Sequence, residues 1–176
     1  MGKKDQLKRV SDTLSLCFII AVLLTGYEVV SRYVFNAPTT WVHETTIMLV
    51  AFGFMLGGVV TLYERTHITI NLLTDRLSGM AKSVLNLTAS IVSVFYLATV
   101  GYGSYVITKQ AWMFKETSGT AWNSPMPVIL KTLLTLCLAL MLLIATYQTI
   151  KHTFLLVKQL KAKLTSRFKK EVDYGY

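Results

Sequence analysis

The chain has 176 residues, of which 53% are hydrophobic and only 15% are charged, and its mean hydropathy is +0.49. This composition is typical of a membrane protein and excludes a water-soluble globular domain. The formal net charge is +9, which in a chain this apolar favours a role of the basic residues in orienting the protein in the membrane over nucleic-acid binding. We therefore expect membrane lipids, and no nucleic acid, as partners.

Long apolar stretches predict four transmembrane helices. Crossing a bilayer core about 30 Å thick takes about 20 helical residues, and a helix satisfies its own backbone hydrogen bonds in lipid. The predicted spans are about residues 11–35, 41–63, 82–108 and 127–152, and a basic tail follows at about 153–176. The predicted fold class is an all-α integral membrane protein, with residues 1–176 in a single four-span domain.

The basic residues predict how these spans are oriented. Only four of the eighteen fall on one side: Arg32, Lys109, Lys115 and Lys131. The other side holds Lys3, Lys4, Lys8, Arg9, Arg65, Arg76, Lys82, Lys151, Lys158, Lys161, Lys163, Arg167, Lys169 and Lys170. Because basic loops stay in the cytoplasm, we predict that both termini are cytoplasmic and that the basic tail lies along anionic lipid headgroups.

Charged residues near the end of the first span are the first candidates for function. Glu28 and Arg32 are four residues apart, which places them on one helical face in the favourable order. Glu44 follows across a short connection, near a helix N-terminus that suits a negative charge. We predict a structural charge cluster that pins the hairpin or docks a partner. A proton-relay site is the alternative, since ionised groups in a membrane are often functional.

The second span carries closely spaced glycines. Gly53 and Gly57 are four residues apart, and Gly58 follows directly. This spacing lets two helix backbones approach closely and predicts a packing face for a partner helix. The alternative is that these glycines only reflect how common glycine is in membrane helices.

The connection between spans two and three has helical periodicity of its own. Ile70, Leu73, Leu77 and Met80 recur at three- and four-residue steps, with polar residues between them. The pattern predicts a short amphipathic helix that lies in the membrane interface. Docking of this helix onto the helices of a partner is the alternative.

The connection between spans three and four is rich in aromatic residues. Trp112 and Trp122 lie there with Phe114, and such residues form the belt at the membrane surface. Pro127 is expected in the first turn of the fourth span.

No pattern of catalytic residues is found, and we predict neither an enzyme nor a bound cofactor. The histidines, His43, His67 and His152, all fall at predicted span ends, which disfavours a haem-binding membrane anchor. His43 and Glu44 match half of a zinc-protease motif, but position 47 is isoleucine. Cys17 and Cys137 are expected to be small packing residues.

Two segments resemble a known family. The stretch Glu28-Val-Val-Ser-Arg-Tyr-Val-Phe-Asn36, followed by Pro38 and Trp41-Val-His-Glu44, resembles the small membrane subunit of tripartite ATP-independent periplasmic (TRAP) transporters. The glycines of Leu56-Gly57-Gly58 and the segment Glu64-Arg-Thr-His-Ile68 follow at the expected spacing. Span number, order and loop lengths match over the whole chain.

The resemblance implies a role within a larger transporter of the bacterial inner membrane. Such systems import organic acids such as sialic acids or C4-dicarboxylates with sodium. A periplasmic protein captures the substrate, and a large permease subunit binds substrate and sodium. The small subunit stabilises the permease and offers part of the docking surface for the periplasmic protein.

For this chain, the resemblance implies no substrate, metal or sodium site of its own. The glycine face of span two would pack against the permease, and Glu64, Arg65 and His67 would form a cytoplasmic loop motif. Trp112 and Trp122 would belong to the periplasmic docking surface. The competing hypotheses are a small proton-coupled exporter that uses Glu28, a membrane anchor of a redox complex and an unrelated accessory protein.

Overall fold

The computed structural model describes residues 3–64 and 80–173, with side chains described for residues 12–63, 80–158 and 160–161. The described backbone forms four helices: α1 (Lys3–Tyr33), α2 (Val42–Glu64), α3 (Met80–Met113) and α4 (Met126–Asp173). Each contains a segment long and apolar enough to cross a membrane: Asp12–Tyr33, Val42–Tyr63, Met80–Met113 and Met126–Lys158. The predictions of an all-helical fold and of four helices able to span a membrane are confirmed.

Three helices extend beyond the predicted spans: α1 at its start, α4 mainly at its end, and α3 at both ends. α4 has 48 residues, which at 1.5 Å per residue makes it about 72 Å long, far more than a bilayer core of about 30 Å. The predicted interfacial helix lies outside the described residues, except that Met80 is the first residue of α3.

The described helices pack as an open row in the order α1, α2, α4, α3. α2 packs against α1 and α4, and α3 packs against α4, while no substantial contact between α1 and α3 closes the row within the described ranges. In each helix, no more than 17% of the most apolar window is buried. Most of the apolar surface must therefore be covered by lipid or by another protein.

The hairpin of α1 and α2 is held by contact of an aromatic ring with a glycine. A Cβ atom built on Gly53 would lie 2.8 Å from the ring tip of Phe18, so any larger residue would force this ring to move. Phe18 also meets Phe54 edge to face, with ring centroids 5.1 Å apart, a favourable arrangement for aromatic pairs. Gly53 thus packs α2 against α1 within the chain.

α3 and α4 are joined by a series of hydroxyl groups. The Thr135 hydroxyl lies 2.8 Å from both the Ser104 and the Thr108 hydroxyls, and Thr108 donates to the backbone carbonyl of Lys131 at 2.9 Å. Ser104 and Thr108 are buried. Hydrogen bonds of this kind link helices in lipid, where apolar contact alone does not favour protein over lipid tails.

We expect Thr135→Val to lower the unfolding free energy of the chain by about 1 kcal/mol, because two interhelical hydrogen bonds are lost. Thr99→Val is the matched control, since within the described part of the chain the Thr99 hydroxyl donates only to the carbonyl of Phe95 in its own helix. The measurement is SDS-induced unfolding in mixed micelles. Equal stability of the two variants would show that the hydroxyl series does not stabilise the hairpin.

Candidate functional site

Two connections lie at the same end of the row, and each forms side-chain hydrogen bonds with a neighbouring helix. We call this the loop end; it comprises residues 34–41 between α1 and α2 and residues 114–125 between α3 and α4. In the first connection, the Ser31 hydroxyl donates to the carbonyl of Ala37 at 2.7 Å, and the Ala37 N–H donates to the carbonyl of Ser31 at 3.0 Å. Asn36 has a φ of 50°, which asparagine tolerates better than most residues. These bonds fix the turn that leads into α2.

Glu28 ties α1 to this turn. Its Oε1 accepts from Arg32 Nη2 at 2.6 Å and from Arg32 Nε at 3.1 Å. Its Oε2 accepts from the Thr39 N–H at 3.1 Å and also from the Thr39 hydroxyl. The Glu28 side chain is only 13% exposed, whereas that of Arg32 is 53% exposed. The structure therefore brings the predicted pair together and adds Thr39 to it.

Glu44 lies in a separate set of contacts. It is 2% exposed, and it accepts hydrogen bonds from three hydroxyls of the second connection. The Ser118 hydroxyl donates at 2.6 Å, and the Thr120 and Ser124 hydroxyls donate as well. Because α2 packs between α1 and α4, a side chain at its N-terminus can face either neighbour. Glu44 faces the α3–α4 side, away from Glu28 and Arg32.

Backbone hydrogen bonds within the segment that carries these hydroxyls hold it in a closed loop. The Ser118 N–H donates to the carbonyl of Ser124 at 2.9 Å, and the Asn123 N–H donates to that of Thr120 at 3.0 Å. Gly119 and Asn123 have φ values of 67° and 50°, in the left-handed region that these two residue types favour. Residues 118–124 thus form a compact loop, which we call the hydroxyl loop.

The two predicted docking tryptophans have different surroundings. Trp112, on α3, is 63% exposed, and its indole N–H donates to the Thr132 hydroxyl of α4 at 3.0 Å. Trp122, in the hydroxyl loop, is 45% exposed. An ion pair between Lys131 and Glu116 lies on the same side of the hairpin. Further large exposed side chains at the loop end are Phe35, Trp41 and Phe114.

The predicted glycine face is divided between two environments. Gly53 is buried against Phe18 of α1, as described above. A Cβ atom on Gly57 or Gly58 would meet no atom within 4 Å. Both line a shallow groove of about 430 Å³ between α1 and α2. These two positions, unlike Gly53, leave space for another helix.

Of the predicted cytoplasmic motif, Glu64 is the last residue of α2, and Arg65 and His67 lie outside the described residues. Sequence reasoning missed Thr39 and the three hydroxyl partners of Glu44. Thr39 follows Pro38 in the short turn after α1, so its contact with Glu28 could have been predicted from nearby residues. The other three lie 74–80 residues from Glu44 along the chain, and no local pattern signals them.

Comparison with known proteins places the chain in a family. Residues 21–154 match the family described as "Tripartite ATP-independent periplasmic transporters, DctQ component". No curated protein matches the chain. The matched range contains Glu28, Arg32, Glu44 and the hydroxyl loop, and it covers most of the chain. The chain therefore belongs to the DctQ family, the small component of TRAP transporters.

Proposed function

We propose that this chain is the small scaffold subunit of a sodium-coupled TRAP transporter that imports organic acids of the sialic acid or C4-dicarboxylate type. It stabilises the large permease subunit in the bacterial inner membrane and helps to dock the periplasmic substrate-binding protein. The match of residues 21–154 to the DctQ family carries this proposal. That family consists of transporter components rather than enzymes.

The packing of the helices supports a scaffold role. The row is open, so its grooves lie on its surface and face the surroundings. The larger one, about 680 Å³ between α1 and α2, is lined mainly by apolar side chains such as Phe18, Val22 and Val29. An organic acid needs polar or cationic groups to replace the water around its carboxylate. Substrate and sodium are therefore assigned to the partner permease, and this chain supplies apolar contact surface.

The face of α2 around Gly57 and Gly58 is the proposed contact with the permease. Both glycines are half-buried and have open space above them. Small residues let a helix from another chain approach closely, and close packing is a main source of helix association in lipid.

The test is co-purification of the tagged chain with the permease from a membrane in which both are expressed. We expect a one-to-one complex, and we expect Gly58→Leu to remove most of the permease while the chain itself still inserts and folds. Gly53→Leu is the contrasting variant. It should lower the stability of the isolated chain by about 1–3 kcal/mol, because a side chain there overpacks against Phe18.

If wild-type chain and permease do not co-purify, the scaffold role is refuted. If the permease co-purifies equally well with the Gly58→Leu variant, the complex is confirmed, and the contact lies on another face of the chain.

The proposed orientation places the loop end in the periplasm and both termini in the cytoplasm. We expect a cysteine in place of Thr117 to react in intact cells with a membrane-impermeant maleimide, and a cysteine in place of Lys161 to react only after the cells are opened. Both positions are exposed. A background without Cys17 and Cys137 removes the native thiols. Labelling of residue 161 in intact cells would reverse the orientation.

A further inference from the structure

We propose that Glu44 is a positioning residue, whose buried carboxylate holds the hydroxyl loop so that Trp122 is presented in one fixed orientation to the periplasmic substrate-binding protein. This inference rests on the proposed function, because it concerns how the docking surface is built. It adds a residue of α2 to a surface that the sequence places only in the connection between α3 and α4.

The carboxylate of Glu44 is buried and is surrounded by hydrogen-bond donors. Its side chain is 2% exposed, so water satisfies little of its hydrogen-bonding capacity. A carboxylate can accept about four hydrogen bonds, and three hydroxyls of the hydroxyl loop donate to it. The first turn of α2 also favours a negative charge through the helix dipole. Charge-assisted bonds of this kind are stronger than those between neutral groups.

The positions of the three donors explain how Glu44 can orient Trp122. Thr120 and Ser124 stand two residues before and two residues after it, and both donate to Glu44. The bond from the Asn123 N–H to the Thr120 carbonyl closes a turn with Trp122 inside it. Both arms of this turn are therefore attached to α2, which is a rigid element. Among the described residues, the hydrogen bonds left to the loop without Glu44 would be those within it: its backbone bonds and the 3.1 Å contact between the Ser118 and Thr120 hydroxyls.

The surroundings of the two tryptophans distinguish their roles. The indole N–H of Trp112 is engaged by Thr132 across the α3–α4 seam. Among the described residues, no hydrogen-bond acceptor is found for the indole N–H of Trp122, although its ring is 45% exposed. A fixed, half-exposed tryptophan with a free donor suits the centre of a protein interface, where tryptophan is enriched among the residues that dominate binding.

The experiment measures loop mobility and docking in the same sample. A nitroxide spin label is attached at Thr117→Cys, next to the hydroxyl loop, in a background without Cys17 and Cys137. The complex of chain and permease is placed in lipid nanodiscs, and its affinity for the periplasmic binding protein of the same transporter is measured by biolayer interferometry. The variants are Glu44→Ala and Glu44→Gln, and Glu28→Gln, at a carboxylate that binds the other connection through Thr39, is the matched control.

We expect Glu44→Ala to make the label more mobile and to weaken binding of the periplasmic protein about thirtyfold, the lower limit for an interface hot spot, with the permease content unchanged. Glu44→Gln should be intermediate, because one amide oxygen can still accept hydrogen bonds. Glu28→Gln should resemble wild type in label mobility, because Glu28 contacts only Arg32 and Thr39 among the described residues. Trp122→Ala should weaken binding as much as Glu44→Ala does, and the double variant should be no worse than either single one.

Several results would overturn the inference. Unchanged label mobility in Glu44→Ala would show that the carboxylate does not hold the loop. A mobile label with unchanged affinity would show that the loop does not present the docking surface. Additive losses in the double variant would mean that Glu44 acts other than through Trp122.

If Glu44→Ala does not fold, the variant Ser118→Ala/Ser124→Ala gives the same test from the loop side. A wild-type complex that does not bind the periplasmic protein would refute the proposed docking function, whereas the mobility measurement reports separately on the contact between Glu44 and the loop.

Discussion

Proteoliposomes that contain only this chain should accumulate neither labelled sialic acid nor labelled succinate. Those that also contain the permease should accumulate the transported one when the periplasmic binding protein and an inward sodium gradient are supplied. The effect is expected to be all or none. The described helices form an open row without an enclosed polar path, and the larger groove between α1 and α2 is lined mainly by apolar side chains.

The first control is the permease alone, which should show reduced uptake or reduced yield if the small subunit stabilises it. The second is the full system without the sodium gradient. Uptake by the isolated chain would contradict the scaffold role and would favour a small exporter that uses Glu28. The present contacts of that residue argue against such a role, because both of its oxygens already accept hydrogen bonds from Arg32 and Thr39.

Glu28→Ala should destabilise the chain more than Arg32→Ala does. Glu28 accepts hydrogen bonds from Arg32 and from Thr39, so its loss disconnects α1 from the turn into α2. Arg32→Ala removes only the first of these partners and leaves the Thr39 bonds in place. Lys109→Ala, at an exposed basic residue of α3, is the matched control and should behave like wild type. The measurement is the apparent melting temperature in detergent.

The double variant Arg32→Ala/Glu28→Gln separates charge from hydrogen bonding. Removing Arg32 alone leaves a carboxylate that has lost its cation, in a site with little water. Glutamine at position 28 removes that charge and can still accept a hydrogen bond from Thr39, so the double variant should regain part of the stability lost in Arg32→Ala. If Glu28→Ala melts like Lys109→Ala, this set of contacts does not support the hairpin.

Local features of the site were predictable from the sequence. Glu28 and Arg32 meet because residues four apart lie on one face of any helix, and this contact does not depend on how the helices pack. The glycines of α2 were recognised as a packing face by the same kind of argument. Only the tertiary structure shows that Gly53 packs against Phe18 of α1, whereas Gly57 and Gly58 have no side chain packed against them.

Contacts between distant segments were not predictable. Glu44 was expected beside Glu28 and Arg32, since a short connection joins α1 to α2. It accepts instead from hydroxyls 74–80 residues later. The partners of a residue in the first turn of α2 depend on which helix packs beside its face. Hydropathy does not reveal which helices are neighbours.

The sequence by itself determined the fold class, the number of spans and the family. These follow from the length of the apolar stretches and from short motifs, because lipid forces each stretch to satisfy its backbone within one helix. Tertiary structure alone decided the order α1, α2, α4, α3 and the attachment of the hydroxyl loop to α2. The physical reason is that lipid accepts any apolar face, so helix order is fixed by close packing and by a few interhelical hydrogen bonds. Those contacts join residues that no local pattern relates.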